Sequence, residues 1–242
     1  TNLKCGKDFF VAVNPEFLKE GCAVSDFLNP DRIVIGSRND KAKVILNKLY
    51  NEFNCPIVNT KIASAEMIKY ASNAFLSTKI SFINEIGNIC KKLDIDVYDI
   101  AEGMGYDKRI GRDFLNAGAG WGGSCFPKDV KALINKAKEL GVKPRILESV
   151  LIVNEDQPLK LIELLKIHSK TLKNKEIGIL GGAFKPDTDD VRESRTIPVI
   201  NELLKQEAIV KLYDPKATDN LKKLFPTIKY CTAQEALNAD AT

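Results

Sequence analysis

The sequence predicts an α/β chain in three parts, and three observations carry that reading. Short β-rich runs lie near both ends of the 242 residues. Between them, a proline-free stretch from Ile62 to Leu93 repeats apolar residues at helical spacing. The last part alternates strand, glycine turn, helix and strand. Within the first sixty residues, runs 9–13, 32–35 and 57–58 read as strands around one helical pattern from Asp40 to Phe53, which is α/β but incomplete. Ile68, Ala71, Phe75, Phe82, Ile86, Ile89 and Leu93 then mark a single helix of roughly 45 Å at ~1.5 Å per residue, long enough to bridge domains or pair subunits. Helices follow over 97–102, 129–140 and 145–165, the last interrupted around Pro158, and make a helical middle. Beyond Asn174, Glu176 to Leu180 is a buried strand ending in Gly181-Gly182, Ile197 to Lys205 a helix, and Ile209 to Asp214 a second strand, a βαβ-type unit.

Composition excludes several classes of function. The net charge is only +4, with Lys and Arg interspersed among Asp and Glu, so there is no concentrated basic face for duplex nucleic acid. No apolar run approaches the roughly 18 to 20 residues that span a bilayer, and the first residues hold no signal-peptide core. Neither membrane nor nucleic acid is an expected partner, and the cytoplasm is the expected compartment. Six scattered cysteines without a Cys-x-x-Cys pair encode neither a zinc site nor a disulfide framework, so no metal is expected. The single histidine, His168, ends an amphipathic run and reads as a helix C-terminal residue. The chain opens without Met at a strand entry and stops at 238–242, where an α/β pattern would begin another strand, so it reads as a fragment.

Cys125 is the most informative residue. It lies in Gly118-Ala119-Gly120-Trp121-Gly122-Gly123-Ser124-Cys125-Phe126-Pro127-Lys128-Asp129. Glycines at four of the first six positions let backbone approach a ligand closely, and the proline with the helical run from Asp129 puts Cys125 just before a helix start. A helix N-terminus with Lys128 nearby favours the thiolate, which is the nucleophilic form. A structural cysteine beside a turn is the plain alternative. Gly181-Gly182-Ala183-Phe184-Lys185-Pro186-Asp187 follows a strand and precedes a helix, where a doubly wound sheet keeps its phosphate-binding loop. Its glycines lack the G-x-G-x-x-G spacing, so a tight strand-to-helix turn is an equal reading. Lys185 and Arg192 put two cations near that edge. Lys69 and Asn73, four apart, share a face of the long helix, although a helical lysine is ordinarily a solvated one. Glu16 and Glu20 follow a strand end, where catalytic groups gather in α/β folds.

Taken together and in order, Asn14-Pro15-Glu16-Phe17-Leu18-Lys19-Glu20-Gly21, Lys69-Tyr70-Ala71-Ser72-Asn73-Ala74-Phe75, Gly122 to Asp129 and Phe184-Lys185-Pro186-Asp187-Thr188 resemble the UDP-glucose/GDP-mannose dehydrogenase family along essentially the whole chain. Asn29-Pro30-Asp31-Arg32-Ile33-Val34-Ile35-Gly36 leans toward the UDP-glucose branch. The resemblance implies that residues 1–60 are the C-terminal remnant of an NAD-binding Rossmann domain. Residues 61–157 would be a central all-helical dimerisation domain with the long helix and the catalytic Lys and Cys. Residues 158–242 would be a C-terminal Rossmann-like UDP-sugar-binding domain, truncated.

The activity it implies is the NAD-dependent, four-electron oxidation of UDP-glucose to UDP-glucuronate through a thiohemiacetal and a thioester on Cys125. Carried over position by position, Lys69 stabilises negative charge on the substrate oxygen, with Asn73 beside it, and Asp129 holds a water or the lysine. Glu16 serves hydrolysis, supported by Glu20 at the substrate. Gly122, Phe126, Phe184 and Lys185 face the uridine diphosphate, Arg109 reaches a neighbouring subunit's sugar site, and Arg192 lies near the cofactor pyrophosphate. A homodimer or higher homo-oligomer across the long helix follows. Oxidation of GDP-mannose or UDP-N-acetylmannosamine, or a non-catalytic nucleotide-sugar-binding and dimerisation module, are the alternatives. The family's G-x-G-x-x-G loop does not occur in residues 1–60, so these 242 residues alone are expected to be inactive. A cysteine hydrolase or acyltransferase pairing Cys125 with His168 is a further competing class, and needs the two within hydrogen-bond reach.

Overall fold

The structure is a computed structural model that describes residues 2–242. The chain divides into two compact units, Thr1–Ser72 and Asn73–Thr242.

In the first unit, β1 (Ala12–Val13), α1 (Ala23–Leu28), β2 (Ile33–Ser37), α2 (Asp40–Tyr50) and β3 (Ile57–Thr60) lead into α3 (Ile62–Leu93). The sheet order is β1-β2-β3, with β1 antiparallel to β2 and β2 parallel to β3 in the register Ile33↔Ile57 to Gly36↔Thr60. β2 is buried along its whole length, as the central strand of a covered sheet must be. Gly36 is required there: a Cβ would sit 2.5 Å from that of Ala65, so only glycine lets α3 start this close to the strand.

Two expectations are corrected in this unit. The strand expected over 9–13 shrinks to two residues, because Phe9 bridges only to Cys5 and Val11 stays exposed. α2 ends at Tyr50 rather than Phe53, where Phe53 turns its N–H back to Tyr50 O and the chain runs into Pro56, whose predecessor disfavours helix. α1 was not read from the sequence, since its six residues are too few to show a period.

In the second unit α3 continues, followed by α4 (Val97–Gly105), α5 (Phe126–Glu139) and α6 (Arg145–His168). α6 runs unbroken through Pro158, against the expected interruption. The buried ring costs one main-chain bond at Asn154 O, and a 24-residue helix packed on its neighbours absorbs that loss. α5 starts three residues before the expected Asp129 because Pro127, with its fixed φ, suits a first turn. Ala74, Trp121, Val130, Ile134 and Val150 form the helical core.

After α6 come β4 (Glu176–Leu180), α7 (Thr196–Lys205), β5 (Ile209–Tyr213), α8 (Thr218–Leu224), β6 (Lys229–Tyr230) and α9 (Ala233–Leu237). The sheet is parallel, ordered β4-β5-β6, and the expected βαβ unit is β4-α7-β5. Its core is drawn from Ile177, Ile200, Leu203, Val210, Leu212 and Leu221. The α/β class follows from both sheets and the helices between them. Among the described residues no helix is long and apolar enough to cross a membrane.

α3 spans the expected 62–93, and its two faces bear on the site. Phe75, Phe82 and Ile89, seven residues apart in the expected helical repeat, are 65, 47 and 50 % exposed. The buried side instead carries Asn73, Ser77, Ser81 and Asn84.

Candidate active site

The first unit carries Glu16 and Lys69. Glu16 follows β1 on a segment pinned by Asn14, whose Nδ2 donates to Val34 O at 2.8 Å and whose Oδ1 accepts from Tyr50 Oη at 2.6 Å. Lys69, on the second turn of α3, donates from Nζ to Glu16 O at 2.7 Å and Glu16 Oε1 at 2.9 Å. Glu16 Oε2 accepts from Leu18 N at 2.7 Å, so the carboxylate is held on both oxygens. Lys69 is therefore no freely solvated helical lysine: its side chain is only 18 % exposed. Glu20 sits exposed in the turn before α1.

The second unit carries Cys125, which is the N-cap residue of α5 and is exposed. A buried structural cysteine is thereby excluded. Asp129, one turn into α5, donates its N–H to Cys125 O and is almost wholly buried. Its Oδ2 accepts from Asn73 Nδ2 at 2.6 Å and its Oδ1 from Lys128 Nζ. Asn73 lies four residues beyond Lys69 on α3, so one helical face offers first a cation and then an amide.

The loop before Cys125 is clamped through its main chain. Asn154 of α6 accepts from Trp121 N at 2.7 Å and donates back to Trp121 O at 3.0 Å. Asn84 accepts from Gly118 N at 2.7 Å, Gln157 donates to Gly118 O at 2.9 Å, and Ser81 accepts from the indole Nε1 of Trp121 at 2.9 Å. Beyond the clamp the loop lies on the segment after β4. Gly123 donates to Arg192 O at 2.9 Å, and at φ +80° its missing side chain leaves room for the Phe184 ring, 2.6 Å from where a Cβ would be. A Cβ on Gly122 would collide with Glu193 O. These two glycines are needed for close approach to the chain's own Glu193 and Phe184, where the sequence led one to expect approach to a ligand. Phe126 packs edge-on to Trp121 at 6.3 Å.

Lys185 Nζ lies 5.4 Å over the Phe184 ring, and Arg192 makes a two-pronged pair with Asp190, with Nη2 to Oδ2 at 2.7 Å. The glycine turn between β4 and α7 is held by a carboxylate of the chain itself. Gly182 N and Ala183 N, the donors a phosphate would use, give 2.7 and 3.0 Å hydrogen bonds to Asp214 Oδ2 from the end of β5. Asp214 Oδ1 accepts from Lys216 N and Ala217 N. Burial alone would push this carboxyl up, but the four backbone N–H groups outweigh it and hold it below the usual carboxylate range.

Arg109 lies apart, in the turn after α4, 89 % exposed and paired with Asp107 at 2.6 Å. The guanidinium's hydrogen bonds lower the Asp107 carboxyl and raise Arg109 in turn. His168 ends α6, fourteen residues past Asn154 and so about 21 Å along the helix at ~1.5 Å per residue. Among the described residues Cys125 Sγ meets Ser124 Oγ at 3.7 Å and no hydrogen bond joins it to His168, so the geometry gives the Cys–His reading no support. The clamp residues Ser81, Asn84, Asn154 and Gln157 were not found from the sequence, although Asn73, Ser77, Ser81, Asn84 and Asn88 recur at three- and four-residue steps and announce a polar buried face.

An exposed cysteine capping a helix behind a glycine loop, a carboxylate and amide at its base, and a strand–turn–helix unit packed on the loop are combined with matches to three domain models of one family. These are its NAD binding domain over residues 1–54, its central domain over 63–156 and its UDP binding domain over 178–242. The chain belongs to the UDP-glucose/GDP-mannose dehydrogenase family. It is 48 % identical over 245 residues to the UDP-glucose 6-dehydrogenase AglM of Haloferax volcanii, covering 98 % of this chain and 57 % of that protein. It is 49 % identical over 209 residues to the UDP-glucose 6-dehydrogenase TuaD of Bacillus subtilis, covering 86 % and 45 %. The solved UDP-glucose dehydrogenase of Pyrobaculum islandicum superposes with a TM-score of 0.92 at 45 % identity, over 96 % of this chain and 54 % of that one. The chain thus spans about half the length of the relatives it matches.

For the dinucleotide of this family the described residues of the first unit do not form a cradle. The strand-to-helix turn after β2 has no G-x-G-x-x-G loop, and the start of α2 is already filled by Asn39 Oδ1, which accepts from Lys41 N and Ala42 N.

Proposed function

We propose that this chain carries the substrate-activating part of an NAD-dependent dehydrogenase that oxidises C6 of UDP-glucose to UDP-glucuronate. The observation that carries the reading is Cys125 itself: an exposed thiol at the N-cap of α5, behind a loop fixed on both sides. NAD, held by a complete NAD-binding domain, would supply the hydride acceptor for each of the two oxidations. The chain's own residues act on either side of those transfers.

Cys125 Sγ adds to the C6 carbonyl, the C=O π pair moving to oxygen, and a thiohemiacetal results. Lys69 Nζ, held beside Glu16, supplies the positive charge that oxygen needs, and Asn73 adds a donor one turn along the same face. Once the carbon stands at the thioester level, Glu16 takes a proton from water. The hydroxide adds to the acyl carbon, the C–S bond breaks, and the Cys125 thiolate leaves as the acid forms. Asp129 holds Asn73, and its burial keeps that amide from turning away. Gly122 and Phe126, with Phe184 and Lys185, receive the uridine diphosphate, Glu20 lies toward the substrate, and Arg192 faces the cofactor pyrophosphate.

The three-part division at residues 60 and 157 and a cytoplasmic location belong to the same reading. So does a homodimer through α3, with Arg109 serving the neighbouring subunit. The exposed row Phe75, Phe82, Ile89 supports that dimer.

The test is NADH formation from UDP-glucose, GDP-mannose and UDP-N-acetylmannosamine by protein with a complete NAD-binding domain, beside a Cys125→Ser variant. Two NADH per UDP-glucose, lost in the variant, is the expected result. Turnover of another sugar alone reassigns the substrate, and unchanged turnover by the variant leaves a mere binding role for Cys125. These 242 residues by themselves are expected to give none.

A further inference from the structure

We propose that Arg32, acting through Phe17, is the positioning residue that sets the Glu16–Lys69 pair. The inference rests on the catalytic reading of that pair, and it concerns how the pair is held.

Arg32 stands immediately before β2, and its guanidinium carbon lies 3.9 Å from the centre of the Phe17 ring. Its Nη2 donates to Ser72 Oγ at 3.3 Å. Ser72 is on α3, three residues past Lys69 and so on the adjoining turn. Phe17 is the residue after Glu16, and Lys69 Nζ lies 5.5 Å from the centre of the same ring while it bonds Glu16 O and Oε1. One arginine therefore touches both halves of the pair's support, the segment that carries the carboxylate and the helix that carries the ammonium. Glu16, Phe17 and Arg32 also line one cavity of about 440 Å³, together with Asn14 and Tyr50.

The segment from Asn14 to Leu18 has no strand or helix geometry to hold it. Asn14 fixes its beginning to β2 and α2. Glu16 lies between that anchor and the Phe17 stack, so loss of the stack moves the next fixed point of the segment out to Lys19, whose N–H donates to Asp26 Oδ2 at 2.8 Å. Only a planar, delocalised cation does both jobs, covering the ring face while an edge N–H reaches Ser72. A lysine ammonium is a point charge and does not. Displacements of about 1 Å at such a pair are enough to slow chemistry by up to ~100-fold.

The direct readout is acetylation of Lys69 by acetic anhydride, measured by mass spectrometry relative to Lys41 and Lys48 of the same unit. In Arg32→Gln and in Phe17→Leu the relative rate at Lys69 is expected to rise about fivefold, the scale of one lost cation–π contact. Arg32→Lys should not rescue it, and the Arg32→Gln/Phe17→Leu double variant should add little to either single one. An unchanged Lys69 rate in both single variants overturns the proposal. So does a rise shared equally by Lys41 and Lys48, which reports general loosening.

In protein with a complete NAD-binding domain, Arg32→Gln should lower kcat with UDP-glucose by about tenfold with KM nearly constant, because a misplaced pair affects reaction more than binding. Where Glu16→Gln does lower kcat, an Arg32→Gln kcat within twofold of the parent's overturns the proposal even if labelling rises. Glu16→Gln separates the two ideas: if it leaves kcat unchanged, the catalytic reading of the pair fails, while the labelling ratio still decides whether Arg32 positions it.

Discussion

Asn73 Nδ2 donates to Asp129 Oδ2 at 2.6 Å, and this buried bond ties the long helix α3 to the first turn of the helix that presents Cys125. Both side chains are nearly sealed from water, so neither finds a substitute when the other is removed. Asn73→Leu leaves a buried carboxylate oxygen unpaired and is expected to cost about 2–3 kcal/mol, the range for hydrogen bonds to charged groups. Urea unfolding of the two proteins measures it, and a loss below 0.5 kcal/mol would mean the carboxylate finds another partner.

Asn154→Leu removes both side-chain bonds to the Trp121 main chain. The expected loss is about 2–4 kcal/mol, since a buried N–H and a buried C=O are orphaned together. Trp121 is the chain's single tryptophan and is buried, so its emission should shift to the red in the variant while the protein is still folded. Emission identical to the parent's would show that the loop keeps its place without the clamp.

Two glycines of the same loop should respond oppositely. A Cβ on Gly118 meets nothing within 4 Å, so Gly118→Ala should change stability by no more than about 0.5 kcal/mol. Gly122→Ala drives a methyl into the Glu193 carbonyl and should cost about 3 kcal/mol or more, the upper range for overpacking. Thermal unfolding of the pair is the measurement, and equal midpoints would refute the packing argument.

Asp214 makes stability depend on pH in a defined direction. Its folded carboxyl is held below the unfolded value near ~3.9, so the folded state binds its proton less readily than the unfolded chain does. Its contribution is therefore complete above the ordinary carboxyl range and is lost as pH falls through the depressed folded value. Asp214→Asn should be less stable than the parent by about 2–4 kcal/mol near neutrality, with the gap closing as the medium becomes more acid than pH ~4. Denaturation midpoints across the acid range check this, and a gap independent of pH would contradict it.

What the sequence disclosed followed period and punctuation. α3 was legible from end to end because thirty-two residues without proline show a helical repeat many times over, and β4-α7-β5 because strand, glycine pair and helix are each marked. Four short elements, α1, α8, β6 and α9, were not, having between two and seven residues. The period of α3 does not say which face turns inward, and the reason is physical. Its inner side meets two N–H groups of the Gly118 to Trp121 loop, the Gly118 amide and the Trp121 indole, and both must be hydrogen-bonded. Small polar residues therefore turn inward at Ser81 and Asn84, and Phe75, Phe82 and Ile89 turn outward. At the site, Cys125 and its glycines announced themselves by type and spacing. The Asn154 clamp did not, because a lone Asn in a helix says nothing about the backbone it meets across the fold.

The Asp214 carboxylate also bears on how the glycine turn fares with no ligand against it. A glycine turn whose amides wait for a phosphate has unfilled donors whenever that ligand departs, and tends to fray. Here Gly182 N and Ala183 N are satisfied by an anion that belongs to the chain itself, and Ser194 Oγ holds the neighbouring carbonyl of Gly182 at 2.8 Å. The turn therefore keeps its shape whether or not a ligand stands against it.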